Sequence, residues 1–587
     1  MRILLVTPPL TQLNTPYPAT AYLKGFLDAH GHTAWQADLG IELADEVLSH
    51  PFLHGIGLER QAVAIEPVKR FLRGQDDTLA PRIAARTLLP EGPRFANLDD
   101  LEWAFGTAGT TDSAQHLATL FIEDIADYVR EQVDPHFDLV RYAEYLANDA
   151  PTFDPLYNEL QQEPTAIDKI MLSLLERHIA ESQPDTVGFT IPFPGCLYGA
   201  LRCAQWVKAH TGCRVVLGGG FVNTEWRQIG DNRIWQFTDY ISLDDGEENL
   251  LALADGHAPQ APAMLTASRT ASMACPDFGG LPLDKYLSLT EMANPMHRLW
   301  SQGRWNKMMM AHGCYWHRCA FCDTTIPYIR DYQAPPATTV VDHMEHIVAQ
   351  TGRTGFHFVD EALPPRLLRE VAEEILRRGL TVSFWGNIRF EKAYTAEFCQ
   401  LLARAGMVAV SGGLEVASDR LLRLMDKGVT VGQAIDACRH LHAAGIMVHT
   451  YLMYGFPTET LQETVDALEN VRRMFDEGIV QSAFWHRYAM TCHSPSGCHP
   501  EAYGARRTTL KPKPFCNNEV DWMPTDGGTQ FDYDIDAVGA ALRLATYNYM
   551  NGLGLDQPLR SWFPIPVPRP TSSKHRQKTD KGSAVLR

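Results

Sequence analysis

The chain has 587 residues, of which 45% are hydrophobic and 21% charged, and at roughly 150 residues per domain it has room for two to four domains. A net charge of −18 argues against a nucleic-acid binder, and no run of about twenty apolar residues exists to span a membrane. Twelve cysteines, scattered except for one tight cluster, do not make a disulfide framework; they point to a reducing compartment, read as the cytoplasm, and to a metal site.

In chain order, the apolar run at residues 3–6 is too short for a secretory leader, because Pro8-Pro9 ends it. It reads as a buried strand over 2–7, followed by a helix over 20–29 and a second strand over 33–39. From about 47 to 183, amphipathic stretches such as 117–133 and 166–181 predict a helical insertion. The α/β pattern then resumes, with a strand over 186–191 and a helix over 199–210. A strand over 214–217 runs into Gly218-Gly219-Gly220, and one over 240–243 runs into Asp244-Asp245-Gly246-Glu247-Glu248. Strands alternating with helices predict a mainly parallel sheet with ligands at the strands' carboxyl ends.

Residues 258–300 begin with a Pro-, Ala-, Ser- and Thr-rich stretch and read as a linker. The core expected over 301–500 opens with a strand at 307–310. Further strands are expected at 355–359, 381–385, 407–411 and 447–453, alternating with helices at 366–378, 395–405, 431–444 and 461–475. This series suits a complete or partial β/α barrel. Residues 501–560 form a C-terminal extension, and 561–587, Pro-rich and then basic and polar, are expected to be disordered.

The cysteine cluster reads Gly313-Cys314-Tyr315-Trp316-His317-Arg318-Cys319-Ala320-Phe321-Cys322. Three thiolates on a short loop after a strand can hold three irons of a cubane cluster and leave the fourth open to a substrate. On spacing alone a zinc knuckle, completed by His312 or His317, is the competing reading. The preceding strand and the long β/α series favour the cluster.

Residues 305–497 resemble the core of the radical S-adenosylmethionine (SAM) superfamily, whose cysteine motif carries an aromatic before its last cysteine, here Phe321. The four-residue first spacing is similar to the G-C-Y-W-x-x-C-x-F-C stretch of cobalamin-linked members. Gly412-Gly413-Leu414-Glu415, followed by Leu422 to Gly428, resembles the G-x-E-S…L-x-x-M-x-K-G signature, with Val416 in place of the serine. Tyr454 to Thr460 resembles the G-x-P-x-E-T turn. The resemblance implies a [4Fe-4S] cluster on Cys314, Cys319 and Cys322, and SAM contacts at Phe321, Asp360, Glu361, Asn387, Arg389, Gly412, Gly413 and Glu415.

Residues 1–257 resemble the Rossmann-like (flavodoxin-like) cobalamin-binding domain fused ahead of such cores. The resemblance implies cobalamin contacts at Thr190, Gly218, Gly219, Gly220, Gly246 and Glu247. The D-x-H-x-x-G motif that ligates cobalt is absent: Asp28-Ala29-His30-Gly31-His32 has its glycine out of frame and reads as a helix end.

The implied activity is formation of a 5′-deoxyadenosyl radical from SAM, with cobalamin-dependent methylation of an unactivated carbon in a small molecule or peptide. A flavodoxin or ferredoxin would supply electrons. Radical cyclisation or rearrangement, and a non-catalytic cobalamin carrier, are the alternatives; methylthio transfer to RNA would bring a second cluster and a basic RNA module, which the sequence lacks. No acid, base or nucleophile is assigned. Cys492 and Cys498 read as incidental, and Cys399, Cys438 and His449 as core.

Overall fold

Two parallel sheets organise the chain. The computed structural model describes residues 1–146, 151–266, 273–509, 513–526 and 530–571. The first sheet contains β1 (Arg2–Thr7), β2 (Thr33–Asp38), β3 (Thr186–Thr190), β4 (Arg214–Gly218), β5 (Tyr240–Leu243) and β6 (Ala263–Thr266). Its order is β2-β1-β3-β4-β5-β6, with every pair parallel. The order reverses at β1, and at such a switch point a crevice opens beyond the strand ends. Both faces of β1 are covered, which is why it is apolar throughout: Ile3 and Leu5 pack with Leu27, Leu250 and Leu253, while Leu4 and Val6 face the other layer.

That other layer is the insertion. Residues 39–182 carry helices and no strand among the described residues, including Thr110–Gln132 and Ala166–Ser182. Ile65, Phe121 and Leu175 share one core with Leu4, Val6, Val187 and Leu217, so the insertion thickens the first domain instead of forming its own core.

The stretch expected to be a linker, 258–300, contains structure. Residues 263–266 are β6, which takes its ladder from β5, and Pro295–Trp300 is a helix. Four residues in a Pro- and Ala-rich stretch show no strand periodicity, and pairing with β5 is what makes them a strand.

The second sheet contains β7 (Trp305–Met308), β8 (Gly355–Phe358), β9 (Ser383–Ile388), β10 (Met407–Glu415), β11 (Met447–Tyr454) and β12 (Ser482–Arg487). All neighbours are parallel in the order β12-β11-β10-β9-β8-β7, and no described pair joins β7 to β12, so this is a six-stranded partial barrel. Phe356, Phe358, Phe384, Val410 and Val448 pack outward under the helices. Lys307, His357 and Trp385 stand in register on the other face. Trp300, from the helix Pro295–Trp300, contacts Trp385 and His449 there and plugs one end.

Residues 561–571 are ordered, contrary to expectation. Phe563 is buried, Ile565 and Val567 pack on the barrel core, and the Thr571 amide and hydroxyl donate to Asp466 at 2.7 Å each. The rest of that tail, 572–587, lies outside the described residues. No helix among the described residues is long and apolar enough to cross a membrane.

Candidate active site

The loop after β7 is held from several sides. The Cys314 amide donates to Ile329 O (2.9 Å), and the Cys322 amide to Cys319 O (3.3 Å). The Ala320 amide donates to Met425 O (2.8 Å), while the Ser496 amide and hydroxyl donate to Ala320 O at 2.9 and 2.6 Å. The Trp316 indole donates to Asp426 O (2.7 Å) and lies where a side chain on Gly428, at φ +74°, would collide with it. The Met425-Asp426-Lys427-Gly428 stretch is therefore the floor of the cysteine loop.

Cys314, Cys319 and Cys322 line one cavity, with about 1080 Å³ of space counting its open mouth. Phe321, Glu361, Asn387, Arg389, Gly412, Gly413 and Glu415 line it too. Asp360, expected among them, is absent from the lining. Its two carboxylate oxygens accept from the amides of Met310 (2.9 Å) and Ala311 (2.8 Å), so it latches the start of the cysteine loop to the end of β8. Among the described residues, no three His, Cys, Asp or Glu side chains converge to share a single metal ion.

Arg389 is buried, and its guanidinium lies 4.4 Å from the centre of the Trp316 ring. It donates to Glu391 (2.7 Å), to Lys427 O and to Cys319 Sγ (3.7 Å). A hydrogen bond with the Cys322 thiol, aided by the charges of Lys427 and Arg389, holds the Cys319 thiol below its ordinary range despite burial. Lys427 pairs with Glu415 at 2.6 Å inside the wall. Gly412 is required here because a Cβ would stand 2.6 Å from the Phe390 ring.

Thr190, Gly218, Gly219, Gly220, Gly246 and Glu247 all line a second cleft, with about 1310 Å³ of space counting its mouth. It lies between the carboxyl ends of the first sheet and the barrel residues Lys307, Met309, His312, Tyr328 and Glu361. Gly219 has φ +110°, and a Cβ there would lie 2.7 Å from the Ile191 backbone. The domains are tied beside the cleft by Tyr22, whose hydroxyl accepts from the Met309 amide (2.7 Å), and by Lys307, which donates to Gln12 (2.6 Å). His30 and His32 are outside the cleft lining: His30 bonds Phe26 O (2.8 Å) and His32 meets Asp255 (3.1 Å), at a helix end as expected.

A third cavity, with about 980 Å³ counting its mouth, is lined by Phe193, Phe221, Ile326, Ile329, Glu225, Glu361 and Cys516 among others. Glu361 lines all three cavities. Residues 491–509 and 513–518 cover this junction, which sequence reasoning missed. Asn518 donates through its amide N–H to Glu225 and through its side chain to Asp323, each at 2.9 Å. Thr491 donates to Asp323, and Phe515 stacks on Phe153 at 4.7 Å. Cys492 and Cys498 are both free thiols, and His449 and Cys438 are buried core.

Residues 308–471 match the model of the Radical SAM superfamily. Such a domain implies a [4Fe-4S] cluster and SAM. The chain is 21% identical over 325 residues to an uncharacterized methyltransferase of Pyrococcus horikoshii, an alignment spanning 52% of this chain and 68% of that one. It is 26% identical over 343 residues to the anaerobic magnesium-protoporphyrin IX monomethyl ester cyclase of Cereibacter sphaeroides, covering 54% of this chain and only 53% of the cyclase. Among solved structures, the cobalamin-dependent SAM radical enzyme OxsB aligns at 14% identity over 60% of this chain and 57% of its own, with a TM-score of 0.46. The radical SAM methyltransferase TsrM of Kitasatospora setae aligns at 17% identity over 67% and 90%, with a TM-score of 0.43.

Proposed function

We propose that the chain is a cobalamin-dependent radical SAM methyltransferase acting on an unactivated carbon. The observation that carries this reading is that two independent motif sets line two large cavities that meet at one residue, Glu361. Cys314, Cys319 and Cys322, which line one cavity, would hold the cluster. Glu415, Asn387 and the open backbone at Gly412-Gly413 would face SAM beside it. Thr190, Gly218 to Gly220, Gly246 and Glu247 would hold cobalamin in the open cleft at the carboxyl ends of the first sheet.

When bound, the reduced cluster supplies the electron that splits a carbon–sulfur bond of SAM to a 5′-deoxyadenosyl radical, and methylcobalamin supplies the methyl group. The chain orients both. Asp360 fixes the entry to the cysteine loop, Arg389 presents a buried positive charge to Cys319, and residues 513–518 pack across the junction. A flavodoxin or ferredoxin would deliver electrons. The likeness to the cyclase supports a second reading, radical cyclisation or rearrangement without methyl transfer.

The protein, purified without oxygen and reconstituted with iron, sulfide and hydroxocobalamin, should hold about four irons and convert SAM to 5′-deoxyadenosine under reduction. Cys319→Ala should abolish this. An intact cluster with no 5′-deoxyadenosine refutes the radical reading; 5′-deoxyadenosine from turnover without S-adenosylhomocysteine selects the second one.

A further inference from the structure

The third cavity belongs to neither cofactor set, sharing with them only Gly220 and Glu361. It adjoins the cysteine cavity through Ile329 and Glu361, and the large cleft through Gly220, Asn223, Tyr328 and Glu361. A molecule seated in it reaches both. Its walls are largely apolar, with Phe221 and Ile326 almost wholly buried and Phe193 54% exposed at the mouth. Its lining holds two carboxylates, Glu225 and Glu361, and no lysine, arginine or histidine.

The two carboxylates differ. Glu225 accepts from the Asn518 amide at 2.9 Å and helps hold the cover in place. Glu361 has no hydrogen bond or ion pair among the described residues, and its backbone is fixed at the end of β8 beside the latched Asp360. Its side chain stands open to all three cavities, and the protein around it raises its carboxyl above the ordinary range, so it is free to accept from an incoming donor.

We propose that this third cavity is the substrate site, and that it takes a molecule with an apolar body and a protonated amine held by Glu361. The assignment of that molecule as substrate rests on the radical SAM reading; the selectivity of the cavity does not. A charge-assisted hydrogen bond in an acidic cavity would discriminate an amine from its acid analogue.

The full chain, reconstituted with cluster and cobalamin, can be tested with two aromatic probes of similar size, phenethylamine and 3-phenylpropanoate, by saturation-transfer NMR. Phenethylamine should bind saturably and 3-phenylpropanoate should not. Glu361→Gln, a near-isosteric change, should weaken the amine at least tenfold, and Glu361→Asp should recover part of it. The proposal is overturned if the acid binds as well as the amine, if the amine does not bind, or if Glu361→Gln weakens SAM while leaving the amine unaffected. Iron content and 5′-deoxyadenosine formation, read on the same wild-type preparation, separate the two failures. Selective amine binding without SAM cleavage sinks the enzymatic reading alone, whereas SAM cleavage without amine selectivity sinks this proposal alone.

Discussion

Lys307 stands on β7 facing the large cleft, 9% exposed, with Gln12 as its hydrogen-bond partner at 2.6 Å and no carboxylate paired to it among the described residues. Its register neighbour His357 stacks on Trp385 at 3.5 Å and is kept neutral by burial, then by the lysine itself. Burial lowers the Lys307 amine from 10.5 to about 7. A lysine whose folded value is depressed binds its proton more weakly in the folded state, so the wild type gains stability as pH rises between those two values. Lys307→Met should therefore stabilise the apoprotein by roughly 1–3 kcal/mol at pH 7. The gain should hold at lower pH and shrink toward pH 10. Urea unfolding at pH 6.5 and 9.5 checks it; a gain independent of pH would mean that packing, not charge, is responsible. At this scale the sequence was legible in part. The three cysteines, Arg389 and the glycines stand where their motifs imply, but adjacent Asp360 and Glu361 read alike and act differently. One turns inward to backbone amides and the other outward to the cavities, a distinction set by the loop beyond β8, which has no periodicity to read.

At the scale of elements, residues 491–509 and 513–518 join the domains through few but dense contacts. Phe515 is fully buried, stacked on Phe153 of the insertion and 5.7 Å from Trp226. Truncation leaves a cavity that the flanking aromatics cannot fill without moving, and Phe515→Ala should cost roughly 3–5 kcal/mol. Because the segment is a cover and not a strand of either sheet, the loss should appear first as local opening. Limited proteolysis should cut Phe515→Ala between residues 505 and 520 before either sheet yields, and cutting elsewhere first would show that the cover is not a unit. None of this was visible in the sequence, because a segment without periodicity declares itself only through partners about 290 to 360 residues away, such as Glu225 and Phe153. The β/α series was legible because its helices repeat an apolar stripe and its strands are short apolar runs. β12, Ser482–Arg487, escaped because Ser482, His486 and Arg487 interrupt the apolar run.

For the whole molecule, the question is whether the two halves bind their cofactors independently. The cysteine loop is built on β7, on the 425–428 floor and on Ser496, whereas the glycine turn is built on β4 packed against the end of β3. They meet at the cavity junction at Glu361 and through Asn518, which bonds Glu225 beyond the glycine turn and Asp323 beyond the cysteines. Gly219 has an extended ψ at φ +110°, a conformation nearly confined to glycine, and a side chain there would meet Ile191 backbone atoms. Gly219→Val should cost roughly 1–3 kcal/mol of backbone strain and displace the turn into the cleft. Gly352→Asn makes a control: that position also has positive φ but caps a barrel helix, with nothing within 4 Å of a Cβ. Cobalamin retained after gel filtration should be near one per chain in wild type and Gly352→Asn, and near zero in Gly219→Val, with iron content equal in all three. Equal loss of iron would mean that the cleft and the cysteine loop fold as one unit. A wild type that holds its cluster but retains no cobalamin would make the front half a substrate or partner domain, leaving the barrel chemistry intact and removing methyl transfer through cobalamin.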